Sequence, residues 1–299
     1  MPALHAFAAE VDCAFVVTRP DRPGGRGQRL QATPVKIAAR ELGIATLEPG
    51  NPIELLGTLR DAEPHLFALA SYGKIVPPAL LGLPRVAALN VHPSLLPLYR
   101  GATPLQSQIF DGVVESGVTI IAMDAGIDTG DIVLQERSQI GPHETFGELH
   151  DRFARLGAHM LAQVCARVTE GTFTQTPQPV EGLDEEIRRT MTRPLRKADL
   201  VIDWRWSARR IVDKVRSLSP SPLARAVLGD ETCKLIAVRE ASHDGAAVSG
   251  DIIEAPDLEV ACGRNDAIVV DRLIAPNRGE TSGAAYAARR AHIMRAALR

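Results

Sequence analysis

The sequence predicts an α/β fold in the first half of the chain and a smaller β-rich unit after it. Three observations predict this. Apolar runs alternate with helical patterns up to about residue 170, short strands crowd together after residue 224, and a Pro-, Thr- and Gln-bearing stretch poor in apolar residues divides the two regimes.

Residues 11–18 (VDCAFVVT) read as the first strand. Thr33-Pro34 then opens a helix, with Thr as its cap and Pro suited to its first turn, and Gly43 ends it. A short strand is expected at 44–47, a helix at 52–60, a buried strand at 65–71 (HLFALAS) and another at 86–91 (VAALNV). This alternation argues for a parallel sheet with helices on both faces. Thr103-Pro104 repeats the cap-and-proline signal for a helix ending near Gly112. Strands follow at 117–123 and 131–140, the second partly alternating and so expected at a sheet edge. Phe146, Leu149, Phe153, Leu156, Met160 and Val164 line one side of a long helix over 145–170.

Beyond it, 171–194 contains Thr-Gln-Thr-Pro-Gln-Pro and reads as a connecting segment. A helix with Ile211, Val215 and Leu218 precedes strands at 224–228, 232–238, 251–255, 258–261 and 267–273. Strands this short and close predict a small β-barrel, closed by a helix over 284–298. The expected domains are therefore 1–171 and 195–299, with 172–194 as linker.

Composition narrows the function classes. Apolar residues make up 45% and charged residues 23% of 299, the profile of a chain that buries a core. The net charge of -2 does not by itself call for nucleic acid. No apolar run is long enough for a membrane span, and no basic segment precedes an apolar stretch at the start, so a cytoplasmic protein is expected. The cysteines Cys13, Cys165, Cys233 and Cys262 are scattered, so neither a metal site nor a disulfide framework is expected.

The chemistry-bearing segment starts at Asn90. It ends a predicted parallel strand, the edge at which open α/β sheets bind ligands. On a strand Asn90 and His92 point to the same side. Asp128 lies in a loop flanked by Gly126 and Gly130, which lets a carboxylate approach another backbone. An amide donor, an imidazole and a carboxylate suit acyl transfer. The amide and a protonated imidazole can stabilise a developing oxyanion, each such donor being worth about 2.7–4 kcal/mol of barrier. The imidazole, tuned by the carboxylate, can also move protons. No covalent nucleophile is required. Spacing alone leaves a structural strand end and an acyl-transfer site both open.

A longer pattern is more specific. The run NVHPSLLPLYRGATPLQSQIFDG, followed by GVTIIAMDAGIDTGDIV, resembles the signature of the folate-dependent formyltransferases. The resemblance implies a Rossmann-like sheet domain and a C-terminal OB-like barrel, with Asn90, His92 and Asp128 as the catalytic trio. It implies 10-formyltetrahydrofolate as formyl donor, with Ser94, Leu95, Leu96 and Pro97 lining its site and residues 71–77 forming another wall. Residues 18–29 (TRPDRPGGRGQR) are similar to a loop that in tRNA-acting members enters the acceptor end of the tRNA. This implies initiator methionyl-tRNA as acceptor, gripped by Arg22, Arg26 and Arg29, with no membrane and no obligate protein partner. Physically the segment is a flexible Gly/Pro loop rich in arginine, suited to phosphates and splayed bases. Residues from Arg188 to Arg216 add positive charge around the second domain's entry.

The resemblance also has departures. Ser219-Pro220-Ser221-Pro222 stands where the family has an aromatic between prolines, and Leu98 stands where a basic residue is common. Family members open with a strand and a Gly-Thr-Pro loop, whereas this chain opens on what matches their first helix. The absent strand would be the sheet's central one, which predicts exposed backbone groups on its neighbours and a true start upstream of Met1. Two other functions compete: formyl transfer to a sugar nucleotide or other small amine, and a truncated, non-catalytic RNA-binding relic.

Overall fold

The computed structural model describes residues 1–24, 29–243, 247–254 and 257–297, with the backbone alone for Gly24, Arg29, Glu254 and 291–297. The chain divides into two compact units. One comprises Met1–Pro104, Glu115–Gln139 and Asp151–Thr192, the other Leu105–Val114, Ile140–His150 and Arg193–Arg299.

The first unit opens with α1 (Pro2–Glu10), a helix that buries none of its residues. β1 (Phe15–Val17) leads to a hairpin, β2 (Arg22–Gly24) and β3 (Arg29–Gln31). α2 (Pro34–Glu41) starts as its sequence predicts, with the Thr33 hydroxyl accepting from the Lys36 amide at 3.2 Å. β4 (Ala45–Leu47) pairs in parallel with β1. A 3-10 turn at Pro52–Leu55 runs into α3 (Leu56–Asp61). Then come β5 (Leu66–Leu69), α4 (Pro78–Leu81), β6 (Ala87–His92), α5 (Pro104–Phe110), β7 (Glu115–Ala122), β8 (Asp131–Gln139), α6 (Phe146–Thr169) and α7 (Asp184–Thr190), of which α5 from Leu105 and α6 up to His150 belong to the second unit.

β5 to β8 form a four-stranded sheet in sequence order. β5 and β6 are parallel, as expected, but β6–β7 and β7–β8 are antiparallel. The loop between β7 and β8 is too short for the crossover that a parallel pair needs. β8 lies at the edge, as its alternation predicts. α6 covers one face. A Cβ on Gly157 would sit 2.5 Å from Val91 Cγ1, so only glycine permits this approach of helix to strand. Phe153, Met160, Leu161 and Val164 on the same helix are buried.

The strand expected at 65–71 to be buried is not. Leu66, Phe67 and Leu69 are half-buried and Ala68 is exposed. β5 is hydrogen-bonded only to β6, and β1 only to β4, so among the described residues each keeps one unpaired side. Phe15, Val17 and Phe67 nevertheless pack on one small cluster, built on Leu55, Leu59 and Leu80.

The second unit holds α8 (Ala208–Leu218), β9 (Ala224–Leu228), β10 (Glu231–Ser242), β11 (Ile252–Glu254), β12 (Glu259–Ala261), β13 (Asp266–Ile274), β14 (Glu280–Ser282) and α9 (Gly283–Ala297). Its sheet runs β11-β12-β13-β10-β9, with β14 on β13, and every pairing is antiparallel. Register shifts between Leu235 and Val238 bend β10, curling the sheet into a half-barrel consistent with an OB-like domain. Ile211, Val215 and Leu218 from α8 close it against Leu228, Leu235, Ile268, Leu273 and Tyr286. β14 has no sequence signal, being three polar residues long. No helix among the described residues is long and apolar enough to cross a membrane.

Candidate active site

β6 is paired by β5 as far as Asn90 and by β7 as far as His92, which anchors the end of the strand. Asn90 and His92 lie on it and reach the same carboxylate. Asn90 Nδ2 donates to Asp128 Oδ1 at 3.3 Å, and His92 Nδ1 lies 3.5 Å from Asp128 Oδ2. The structure thus brings together the trio that the sequence proposes. Asp128 Oδ2 also accepts from the Gly101 amide at 2.8 Å.

The loop carrying Asp128 is braced from within. Asp124 accepts from the Gly126 amide at 3.0 Å and from the Thr129 hydroxyl at 2.7 Å. Asp128 sits at φ 51°, a left-handed conformation that Asp tolerates better than most residues. The flanking glycines are sterically required. A Cβ would meet Thr129 Oγ1 at 2.0 Å from Gly126, and the Ala122 carbonyl at 1.9 Å from Gly130.

His92 is 3% exposed, and burial pulls its pKa below the ordinary 6.5; Asp128 and the Tyr99 carbonyl oppose this, and Arg100 adds to it. The imidazole is therefore neutral at neutral pH. Its Nε2 is 3.0 Å from the Tyr99 carbonyl, which can only accept, so Nε2 carries the proton. Nδ1 is left with a lone pair facing Asp128. A proton arriving at Nδ1 would find a carboxylate beside it.

Of the proposed folate wall, Ser94, Leu96 and Pro97 are buried and Leu95 is half-buried. The Ser94 hydroxyl donates to the Leu98 carbonyl at 2.7 Å. Thr119 holds the turn from β7, donating to the Ser94 carbonyl at 2.7 Å and accepting from the Leu96 amide at 3.3 Å, and Gln135 on β8 donates to the Leu96 carbonyl at 3.1 Å. These bonds fix the backbone of the turn that carries the four residues. A separate polar cleft of about 310 Å³ borders the Asp128 loop, lined by Ala88, Met123, Asp124, Gly130 and Gln175 among others.

The arginine-rich segment is more ordered at its base than a flexible loop. Thr18 and Thr33 are hydrogen-bonded at 2.9 Å, Lys36 bridges Asp21 at 2.9 Å and Glu48 at 2.6 Å, and Arg22 pairs with Gln31 in the hairpin. The Arg22 side chain is exposed, Arg29 is placed on β3 by its backbone, and Arg26 lies outside the described residues. Of the basic residues near the second unit, Arg193, Arg205, Arg209 and Arg216 pair with Asp199, Asp203 and Asp213. Arg188, Arg189, Arg196 and Lys197 are exposed.

Sequence reasoning missed four contributors to the site: the Tyr99 carbonyl, Arg100, the Gly101 amide and Gln178. Two of these are backbone groups, invisible to side-chain patterns. Gln178 stands in a proline-flanked stretch without periodicity, which carries no signal of its own.

Residues 2–165 match the formyl transferase family, and residues 194–291 match the formyl transferase C-terminal domain. The chain belongs to the formyltransferase family. Methionyl-tRNA formyltransferases of Aromatoleum aromaticum and Xanthomonas campestris are 39% and 38% identical to it. The first alignment covers 87% of this chain and 82% of that protein, the second 88% and 85%. An N-formyltransferase from Helicobacter canadensis, solved with folinic acid and dTDP-3-aminofucose, shares the fold with a TM-score of 0.64 at 18% identity, covering 90% of this chain and 93% of that one. HypX from Aquifex aeolicus, solved with tetrahydrofolic acid, does so with a TM-score of 0.61 at 15% identity, over 91% of this chain and 46% of that one.

Proposed function

We propose that this formyltransferase moves the formyl group of 10-formyltetrahydrofolate to the α-amine of initiator methionyl-tRNA, in the cytoplasm. One observation carries the chemistry: the Asp128 carboxylate gathers Asn90 and a neutral, buried His92 at the end of β6. The tRNA acceptor is supported by relatives at 38–39% identity that are methionyl-tRNA formyltransferases. The arginine-bearing hairpin and the C-terminal unit are further support.

The residues present fit a formyl donor. Attack of an amine on the formyl carbon builds negative charge on the formyl oxygen. Asn90 has two N–H groups and donates one to Asp128, leaving the other for that oxygen. The attacking nitrogen must shed a proton, and His92 Nδ1 is the base positioned to take it, because the imidazolium so formed is stabilised by Asp128 on one side and the Tyr99 carbonyl on the other. The same proton is then available to the nitrogen that loses the formyl group. Ser94, Leu95, Leu96 and Pro97 would form the wall beside the folate. Arg22, Arg26 and Arg29 would hold the tRNA phosphates.

The test is a formylation assay on the purified chain with the folate donor and charged initiator tRNA. Formyl-methionyl-tRNA is the expected product. Transfer to an amino sugar nucleotide but not to tRNA would overturn the acceptor, and tRNA binding with no transfer would overturn the enzyme.

A further inference from the structure

The stretch after α6 reads as a linker, yet it is tied to the loops that carry the trio. Thr176 and Ile132 exchange backbone hydrogen bonds at 2.9 and 2.8 Å. Gln178, only 8% exposed, donates both hydrogens of its amide, to the Asp128 carbonyl and the Gly130 carbonyl, each at 2.8 Å. Its Oε1 accepts from Arg100 through both Nε, at 3.2 Å, and the terminal nitrogen. Further along, the Thr192 amide donates to the Arg100 carbonyl at 2.8 Å, and the Thr192 hydroxyl accepts from the Thr103 amide at 3.1 Å. Gly101 is squeezed against this segment: a Cβ there would lie 2.2 Å from the Thr192 carbonyl.

We propose that residues 176–192 form a strap that positions the catalytic loop, with Gln178 as its positioning residue. One amide spans the two segments that hold the carboxylate: the loop bearing Asp128 and the Arg100–Gly101 turn whose amide bonds to it. Both amide hydrogens are committed, so the chain leaving the left-handed Asp128 is pinned at the Asp128 and Gly130 carbonyls. A buried primary amide with every group satisfied is rigid, because any rotation strands a donor in a dry interior. The strap also fixes where Arg100 rests. Arg100 and Asp128 are the charged groups acting on His92, so Gln178 sets the electrostatics of the imidazole as well as the placement of its partner.

This inference rests on the catalytic role proposed for the trio, and its test separates the two. Gln178→Glu keeps the volume and the Arg100 pairing but loses both donors and adds a negative charge beside Asp128. Gln178→Ala loses all four hydrogen bonds. Each variant should lower kcat about 10–100-fold, the usual cost of removing an orienting partner, while the KM for the folate donor stays within about threefold. In Gln178→Glu the His92 titration, followed by NMR of the imidazole, should move to higher pH, and the acid limb of the rate profile should move with it. The NMR reading needs no turnover, so it holds whatever the acceptor is. A wild-type chain without transfer but with the shifted titration would sink the function and keep the strap. Wild-type kcat and an unmoved His92 titration in Gln178→Glu would sink the strap, even if the melting temperature fell. Should Gln178→Ala fail to fold, the isosteric Glu variant decides on the same readouts.

Discussion

Among the described residues of the first unit, the β1–β4 sheet and the β5–β8 sheet are of unequal build. β1 and β4 are three residues each and, among the described residues, pair only with one another. β6, β7 and β8 run six, eight and nine residues in a four-stranded sheet. The trio proposed as catalytic hangs entirely on the larger sheet and its loops. Val118 and Ile120 there are fully buried, while Phe15 and Val17 on β1 remain half-buried. The proposed chemistry sits at the end of the larger, better-paired sheet, and the smaller sheet leads into the base of the arginine-rich segment. Placement of a carboxylate to a fraction of an ångström needs that rigidity, whereas gripping a phosphate backbone tolerates more play.

The largest expected effect is on turnover at the strong sheet. His92→Ala or Asn90→Ala should lower kcat at least about 10²-fold and leave folate binding nearly unchanged, read by a transfer assay beside a donor titration. An active Asn90→Ala would remove the trio from the mechanism.

The pH profile probes the same residue. Burial lowers the His92 pKa, so the imidazole stays basic down to below pH 6.5. The rate should be flat at neutrality and fall only at lower pH. Folding stability from this group should be full above 6.5 and drain away as pH drops from there through the folded value, because the unfolded chain takes up the proton first. His92→Gln should flatten that part of the stability curve. A rate midpoint above 6.5 would contradict the buried, neutral imidazole.

Packing separates the two sheets directly. Ile120→Ala should cost about 2–5 kcal/mol, and Val17→Ala less than about 1.5 kcal/mol, by urea denaturation. Equal costs would erase the distinction. Amide exchange should likewise be faster at Phe15–Val17 than across β7. The smallest effect lies in the arginine-rich segment, residues 18–29. Arg26→Ala should weaken tRNA use a few-fold and reduce the salt slope of binding by about one, with transfer to a minimal amine unchanged. Wild-type behaviour on tRNA at physiological salt would free the segment from that role.

Much of this was legible in the residues. Period-two placement put Asn90 and His92 on one side of a strand. Thr33 and Pro34 marked a helix start that the structure reproduces, and partial alternation put β8 at an edge. Other features were not legible, for identifiable reasons. The antiparallel β6–β7 pairing follows from which strands meet, and that is not encoded in either of them, whereas the short loop between β7 and β8 already implied an antiparallel pair. The half-exposure of β5 depends on a neighbour, not on its own apolar run. The β2–β3 hairpin hid in a segment whose glycines and prolines signal only a loop.

By itself, then, the sequence determined most of the element types and the family whose spacing Asn90, His92 and Asp128 share, while the units interleave along the chain in a way that no segment encodes. Those rest on local propensity and periodicity, which each segment carries within itself. Only the tertiary structure decided that one carboxylate serves Asn90, His92 and the Gly101 amide together, that His92 is kept neutral, and that Gln178 braces the loop. These depend on groups 27 to 78 residues apart meeting in space, and on the exclusion of water around them. Burial and meeting are properties of the packed chain, and no single segment contains them.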